Sequence, residues 1–264
     1  ISTDHLRAMV EDPVTMTRIA AVHALGDIWA MGATPQAALA SIILPRQSPD
    51  LAERALTEIM QTARDVMQAA GADIVGGHST QGDALTIGFT VTGLCKGAPL
   101  TPAGAEPDQS LILTKPIGSG AIMAAEMQGR APGADVTAVL ELMAQPQGTA
   151  AAILSGASAM TDVTGFGLAG HLRALSTASG VGARIDMGAV PLMPGALALS
   201  EQGIRSTLYP ENRAGFETLP DDPRTALLHD PQPGGGLLAA PGGAAKPLVG
   251  KLRDAGYEAA ALGR

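Results

Sequence analysis

The sequence predicts an α/β protein of two domains, each a mixed-sheet layer with helices packed against it. Three observations carry this expectation. Apolar runs of strand length alternate with segments of helical period along all 264 residues, a length that suits two ordinary domains. A stretch rich in Pro, Gly and Ala from Gly97 to Asp108 divides the chain into residues 1–96 and 108–264. Aromatic residues make up only 2% while Gly and Ala are abundant, so the layers must pack through small side chains.

Composition also removes whole classes of function. A net charge of −8, with no basic run and no aromatic–basic interleaving, argues against a nucleic-acid surface. No signal-peptide pattern and no apolar run of spanning length occur, so a cytoplasmic protein with no membrane partner is expected. The single cysteine, Cys95, excludes an internal disulfide and a Cys-rich zinc site. It follows the alternation Ile87-Gly88-Phe89-Thr90-Val91-Thr92-Gly93-Leu94 and reads as a half-buried thiol at a strand end. The sequence opens at Ile1, inside a strand and without an initiator Met, and a longer parent chain is expected.

Taken in order, Ile1 to Asp4 reads as a strand end that releases Asp4 into a loop, either as a surface acid or as a nucleotide or metal contact. Asp12-Pro13 marks a helix start, Met16 to Met31 carries helical period, and Gly32 closes it. Asp27 falls in the last turn of that helix, where the negative end of the helix dipole disfavours a carboxylate. Its bulky apolar neighbours Leu25, Ile28, Trp29 and Met31 leave it two choices, solvent or a compensating cation. Ala37 to Leu44 is a buried strand and Pro49 to Ala70 an amphipathic helix ended by Gly71. Ala72 to Ser79 then reads as a short strand running into a diglycine turn, Gly76-Gly77, which lets backbone approach a ligand. His78 and Ser79 are there a turn residue and a cap, or ligand contacts. Ala84 to Leu94 alternates as a half-exposed strand.

In the second half, Ser110 to Thr114 is a buried strand, followed by a glycine loop, Lys115 to Gly120, and a helix from Ala121 to Met127. Lys115 could meet a phosphate, although no Walker pattern surrounds it. Val136 to Gly156 reads as one helix, Ala183 to Asp186 as a strand, and Pro191 to Gly203 as a Pro-started helix. Tyr209 to Arg213 reads as a polar loop, Leu237 to Ala240 as a strand and Lys246 to Ala255 as a helix. Between these lies the stretch Met160-Thr161-Asp162-Val163-Thr164-Gly165-Phe166-Gly167-Leu168-Ala169-Gly170-His171-Leu172, an acid and a glycine-rich turn opening a helix. Asp162 either caps that helix or holds a divalent cation beside phosphates drawn to its N-terminus. A rival dinucleotide reading uses Gly165, Gly167 and Gly170 as G-x-G-x-x-G with Asp186 as the ribose acid. Its weakness is Ala159 to Asp162, a poor buried parallel strand.

Taken together these motifs resemble the selenophosphate synthetases (selenide, water dikinases), of the aminoimidazole-ribonucleotide-synthetase-like ATP-binding superfamily. The resemblance runs over nearly the whole chain. It rests on Ser2-Thr3-Asp4, Arg18 to Gly32, Gly76-Gly77-His78-Ser79, Thr114 to Gly118, Met160 to His171 and Asp230-Pro231-Gln232. Gly-Gly-His-Ser and Met-Thr-Asp-Val-Thr-Gly-Phe-Gly are the discriminating strings. The resemblance implies the two-domain synthetase-like fold, a homodimer, and ATP-driven formation of selenophosphate from selenide with release of AMP and phosphate. By the same resemblance Asp27 and Asp162 match acids that hold Mg²⁺ on the phosphates. Asp4 matches an acid contacting ATP or metal, and Gly77, His78 and Ser79 match the nucleotide-binding loop.

Two departures stand out. Family members carry a glycine-rich N-terminal segment with a reactive Cys or selenocysteine, a nearby Lys and an acid pair, none of which is in this sequence. Cys95 does not match that nucleophile, and the span alone is expected to be inactive. After Asp230-Pro231-Gln232 the family has Thr-Ser, whereas Pro233-Gly234 stands here.

Overall fold

The computed structural model describes residues 1–264 and contains two four-stranded sheets with helices between and around them. In the first, strands β1 (Ser2–Arg7), β2 (Thr34–Pro45), β3 (Asp73–Gly82) and β4 (Thr86–Leu94) lie in the order β1-β4-β2-β3. Only β2 and β3 run parallel; the β1–β4 and β2–β4 pairs are antiparallel, so the sheet is mixed. Helices α1 (Pro13–Ala30) and α2 (Pro49–Ala69) belong to this half.

The helix α1 begins where the sequence says. Asp12 lies outside it, and its carboxylate accepts the Thr15 N–H at 2.8 Å, while Pro13 occupies a first-turn position that needs no donor. Gly32, at φ +66°, ends it. In between, most of the helix is buried, and Arg18 is its one exposed residue. Met16, Leu25, Ile28 and Trp29 belong to the core of the first half, whereas Ile19 packs into the core of the second. A helix buried on most sides is a central strut between two layers. A carboxylate on it therefore stands at the junction of the two halves.

The second sheet contains β5 (Leu111–Leu113), β6 (Ala157–Asp162), β7 (Leu237–Pro241) and β8 (Ala260–Gly263), in the order β6-β7-β5-β8 with every pair antiparallel. Around it lie α3 (Ser119–Met127), α4 (Gly133–Met143), α5 (Gly148–Ile153), α6 (Gly167–Ser179), α7 (Ala196–Glu201), α8 (Tyr209–Arg213), α9 (Pro223–Ala226) and α10 (Ala245–Asp254). A 3₁₀ turn, Leu227–His229, follows α9. No helix is long and apolar enough to cross a membrane.

Several local expectations are corrected. Asp4 does not leave its strand: it pairs with Phe89 in the middle of β1. The diglycine Gly76-Gly77 is not a turn, because β3 runs straight through it beside β2. Gly77 is required there by close approach, since a Cβ would sit 2.1 Å from the Ala40 carbonyl oxygen. Cys95 is exposed rather than half-buried. The segment 136–156 is two helices, separated by a break containing Pro146, which can supply no backbone donor. Ala183 to Asp186 contributes only an isolated bridge between Ile185 and Gly263. The Pro191 segment turns helical only at Ala196, after Gly195 at φ +78°, and Tyr209–Arg213 is a short helix rather than a loop.

Candidate functional site

Three carboxylates from three separate elements meet where the two halves join. Asp27 comes from the last turn of α1, Asp4 from the middle of β1, and Asp162 from the last position of β6. Asp27 is the hub, within hydrogen-bond reach of both other carboxyls, and Ser2 Oγ donates to its Oδ2. Asp162 reaches α1 because residue 26 is a glycine: a Cβ there would lie 3.1 Å from Asp162 Oδ2. Sequence reasoning passed over Gly26, because a glycine inside a helix reads as a packing feature before it reads as room for an acid.

Burial and mutual repulsion load this cluster. Asp162 is 7% exposed, and burial first, then the nearby Asp27 and Asp4 charges, push its carboxyl up to about 8. Asp4 is pushed up to about 6, again by burial first and Asp27 second. No lysine or arginine pairs with any of the three. A divalent cation is the group that would relieve them, and oxygen ligands on separate elements suit Mg²⁺. No group of three or more His, Cys, Asp or Glu side chains is arranged to hold a metal ion by itself. That also fits Mg²⁺, which keeps several waters and takes one or two carboxylates together with phosphate oxygens. Asp27 and Asp162 are the residues that would hold it, with Asp4 beside them.

Two imidazoles flank the acids, and each is anchored by a backbone donor. Gly234 N–H donates to His23 Nδ1 at 3.3 Å, leaving Nε2 3.9 Å from Asp4 Oδ1. Thr164 N–H donates to His171 Nε2 at 3.0 Å. Burial lowers both histidines to about 4, so both are neutral at pH 7. Sequence reasoning singled out neither. A signal existed for His171, at the end of the Met160–His171 string, four residues after Gly167 on α6.

The other anticipated residues lie elsewhere. Gly77, His78 and Ser79 are on β3, the edge strand opposite β1, so about 14 Å of sheet separates them from Asp4 within one chain. The Lys115–Gly120 loop is no free phosphate cradle. Gln232 Oε1 accepts the N–H of Gly118 (3.0 Å) and Ser119 (3.3 Å) and the Ser119 hydroxyl (3.0 Å), while Asp230 Oδ2 accepts the Ala121 N–H at 3.0 Å. Asp230-Pro231-Gln232 is thus the cap of α3. Lys115 is buried, with Nζ donating to the Gly234 carbonyl at 2.7 Å, and burial lowers it to about 7. Pro233-Gly234 therefore sits in a loop tied to Lys115 on one side and to His23 of α1 on the other. Replacing Gln232 with Ala strands two buried backbone donors, Gly118 N–H and Ser119 N–H. The expected cost is about 1–3 kcal/mol of stability, read as a lowered midpoint in urea unfolding at unchanged slope.

The dinucleotide reading is overturned by topology. The strand before the glycines, β6, runs antiparallel to β7 rather than within a parallel βαβ unit. Gly167 serves packing, because a Cβ there would lie 2.6 Å from the Leu228 carbonyl, and Asp186 accepts the Gly188 N–H at 2.9 Å in a local turn.

The family model described as AIR synthase related protein, N-terminal domain, matches residues 1–95, and that of the C-terminal domain matches residues 106–264. The selenide, water dikinase of Bdellovibrio bacteriovorus is 35% identical over 249 residues, covering 89% of this chain and 69% of that protein. The one from Pseudomonas straminea is 35% identical over 274 aligned positions, covering 100% of this chain and 76% of that protein. Among solved structures, thiamine-monophosphate kinase from Stenotrophomonas maltophilia superposes with a TM-score of 0.76 at 19% identity, over 100% of this chain and 81% of that one, a likeness of fold. On family models spanning both halves and on relatives of this identity and coverage, the chain belongs to the AIR synthase related family and, within it, to the selenide, water dikinases.

Proposed function

We propose that the full natural chain to which this span belongs makes selenophosphate from selenide in an ATP- and Mg²⁺-dependent reaction that releases AMP and phosphate, with this span supplying the nucleotide and metal site. The observation that carries the reading is the meeting of Asp4, Asp27 and Asp162 at the junction of the two halves, with no lysine or arginine paired to them. Bound there, Mg²⁺ would neutralise phosphate charge as the phosphoryl group moves. The chain's own part is to fix positions. Asp27, on the rigid α1, and Asp162, at the end of β6, hold the two halves in register on one ligand. Ser2 fixes the Asp27 carboxylate, and His23, anchored by the Gly234 loop, stands 3.9 Å from Asp4. Residues 1–96 and 108–264 act on this reading as two domains that each bring part of the site.

The test, on the full natural chain, is ATP consumption with and without selenide, each with and without Mg²⁺, alongside thermal shift with ATP. Turnover that needs both selenide and Mg²⁺ is the expected result. Turnover driven by a different small-molecule acceptor would point to another kinase or ligase of the superfamily, and stabilisation by NAD without metal would sink the reading.

Gly77, His78 and Ser79 enter this reading as the nucleotide loop of a homodimer. The edge strand β3 is exposed along nearly its whole length, and Val75 (66% exposed) with Leu39 (47% exposed) gives it an uncovered apolar flank. A long open edge of this kind invites a second strand. A second copy seated on it would cover Gly77 to Ser79 and close ATP in near the interface. Val75→Lys is then expected to shift the protein from dimer to monomer in light scattering, with the fold retained. An unchanged dimer mass would exclude this edge as the interface.

A further inference from the structure

We propose that His171 is a catalytic residue whose Nδ1–H donates a hydrogen bond to a phosphoryl oxygen of the bound nucleotide. The inference rests on the ATP–Mg²⁺ reading of the acid cluster and adds to it a direct contact from α6.

The ring is held in one orientation and one tautomer. Its Nε2 accepts the Thr164 N–H at 3.0 Å and lies 3.4 Å from the Thr164 hydroxyl oxygen. A nitrogen that accepts a backbone N–H carries no proton, so in the neutral ring the proton is on Nδ1. That Nδ1 has no partner in the protein, yet it is not sealed among buried, unpaired atoms. It is an oriented donor on the open side of the ring. The ring stands within electrostatic reach of Asp27, the hub of the acid cluster. Asp162 and Thr164 are two residues apart, so the backbone that carries the buried acid also anchors the imidazole. Phe166 packs against the other part of the ring at 5.8 Å between centroids.

Chemistry favours a phosphoryl oxygen as the acceptor. A cation held by the acids would draw phosphate oxygens toward this ring, and the ring is a fixed donor with nothing in the protein to receive its proton. A preorganised neutral donor stabilises charge that develops in the transition state without needing to reorganise. His23 has the same construction, with Nδ1 accepting from Gly234 N–H, but its free Nε2 faces Asp4 at 3.9 Å. The two imidazoles are thus anchored alike, but the free nitrogen of His23 is turned toward a carboxylate of the protein and that of His171 is not.

The amides of Asn and Gln separate the proposed role from a merely structural one. Asn places its NH₂ where Nδ1 stands and so keeps the outward donor, while losing the contact with Thr164. Gln reaches Thr164 N–H with its oxygen and so keeps the loop anchor, while losing the outward donor. In the full natural chain, kcat/KM for ATP with selenide is expected to fall on the order of 10²-fold in His171→Gln and to stay within about tenfold of the unsubstituted protein in His171→Asn. Thermal shift by ATP and Mg²⁺ without selenide is expected to rank the unsubstituted protein and Asn above Gln. The reverse ranking, Gln above Asn, overturns the proposal and leaves His171 as a positioning residue for the Thr164 loop. Equal losses in both variants overturn it as well. Should the unsubstituted protein show no selenide-dependent turnover while the ATP ranking holds, the selenide reading fails and the His171 contact stands.

Discussion

Asp27→Asn and Asp162→Asn each abolish Mg²⁺-dependent use of ATP while leaving the fold intact. A metal on transferring phosphate contributes several kcal/mol to the transition state, and each 1.36 kcal/mol is tenfold in rate, so losses on the order of 10³-fold in kcat/KM are expected. In thermal shift, ATP and Mg²⁺ at a hundred times Kd stabilise the unsubstituted protein by about 2.7 kcal/mol, and both variants lose that gain. What separates this from simple damage is the metal-free state. Asn keeps the shape of Asp but removes a charge from a buried cluster of three acids, so at pH 8 the metal-free Asp162→Asn protein is expected to be more stable than its parent. A variant that lost activity and also stability there would mean that Asp162 is a structural cap. Asp186→Asn serves as the control, since Asp186 only closes a local turn.

How far such a site could be read beforehand depends on what kind of information places each residue. The helix α1 was legible from end to end, because Asp12, Pro13 and Gly32 act on their own neighbours. Asp27 was legible as an anomaly for the same reason: a carboxylate in the last turn of an apolar helix conflicts with its local surroundings, and that conflict is visible without tertiary structure. Its partners were not. Asp4 was expected to leave its strand, but its place is set by pairing with Phe89, 85 positions away. The diglycine in β3 looked like a turn because glycine has two uses, tight bending and close approach, and only the neighbouring Ala40 carbonyl decides between them. The strand β8 was missed since Ala260, Ala261 and Gly263 have weak β preference, and pairing with β5 overrides it. His171 and Gln232 were hidden for a further reason: their work is to receive backbone N–H groups, and no side-chain pattern announces an acceptor.

Binding of Mg²⁺ and ATP is expected to release about one proton per site at pH 7, and the same carboxyl governs how stability depends on pH. Asp162 is raised from 3.8 to about 8, so at pH 7 the metal-free folded protein holds a proton there that the unfolded chain has released. Stability from this group therefore falls as pH rises from about 4 to about 8. The unsubstituted protein will not show that slope cleanly, because other buried groups oppose it. His23, His171 and His229 are lowered to about 4 and bind protons only on unfolding, which raises stability with pH between about 4 and 6.5. Over nearly the same window Asp4, raised to about 6, and Asp230, raised to about 7, act with Asp162. Above pH 7 Lys115, lowered to about 7, pulls stability upward against Asp162. The difference between Asp162→Asn and its parent cancels these common contributions. It is expected to grow in favour of the variant from pH 4 to pH 8 in chelator-treated protein, and to turn against the variant when Mg²⁺ and ATP are present. Calorimetric titration at pH 7 in buffers of differing ionisation enthalpy counts the released proton directly, since a ligating carboxylate must be ionised. A binding heat that does not change with buffer would mean that the cation sits away from Asp162.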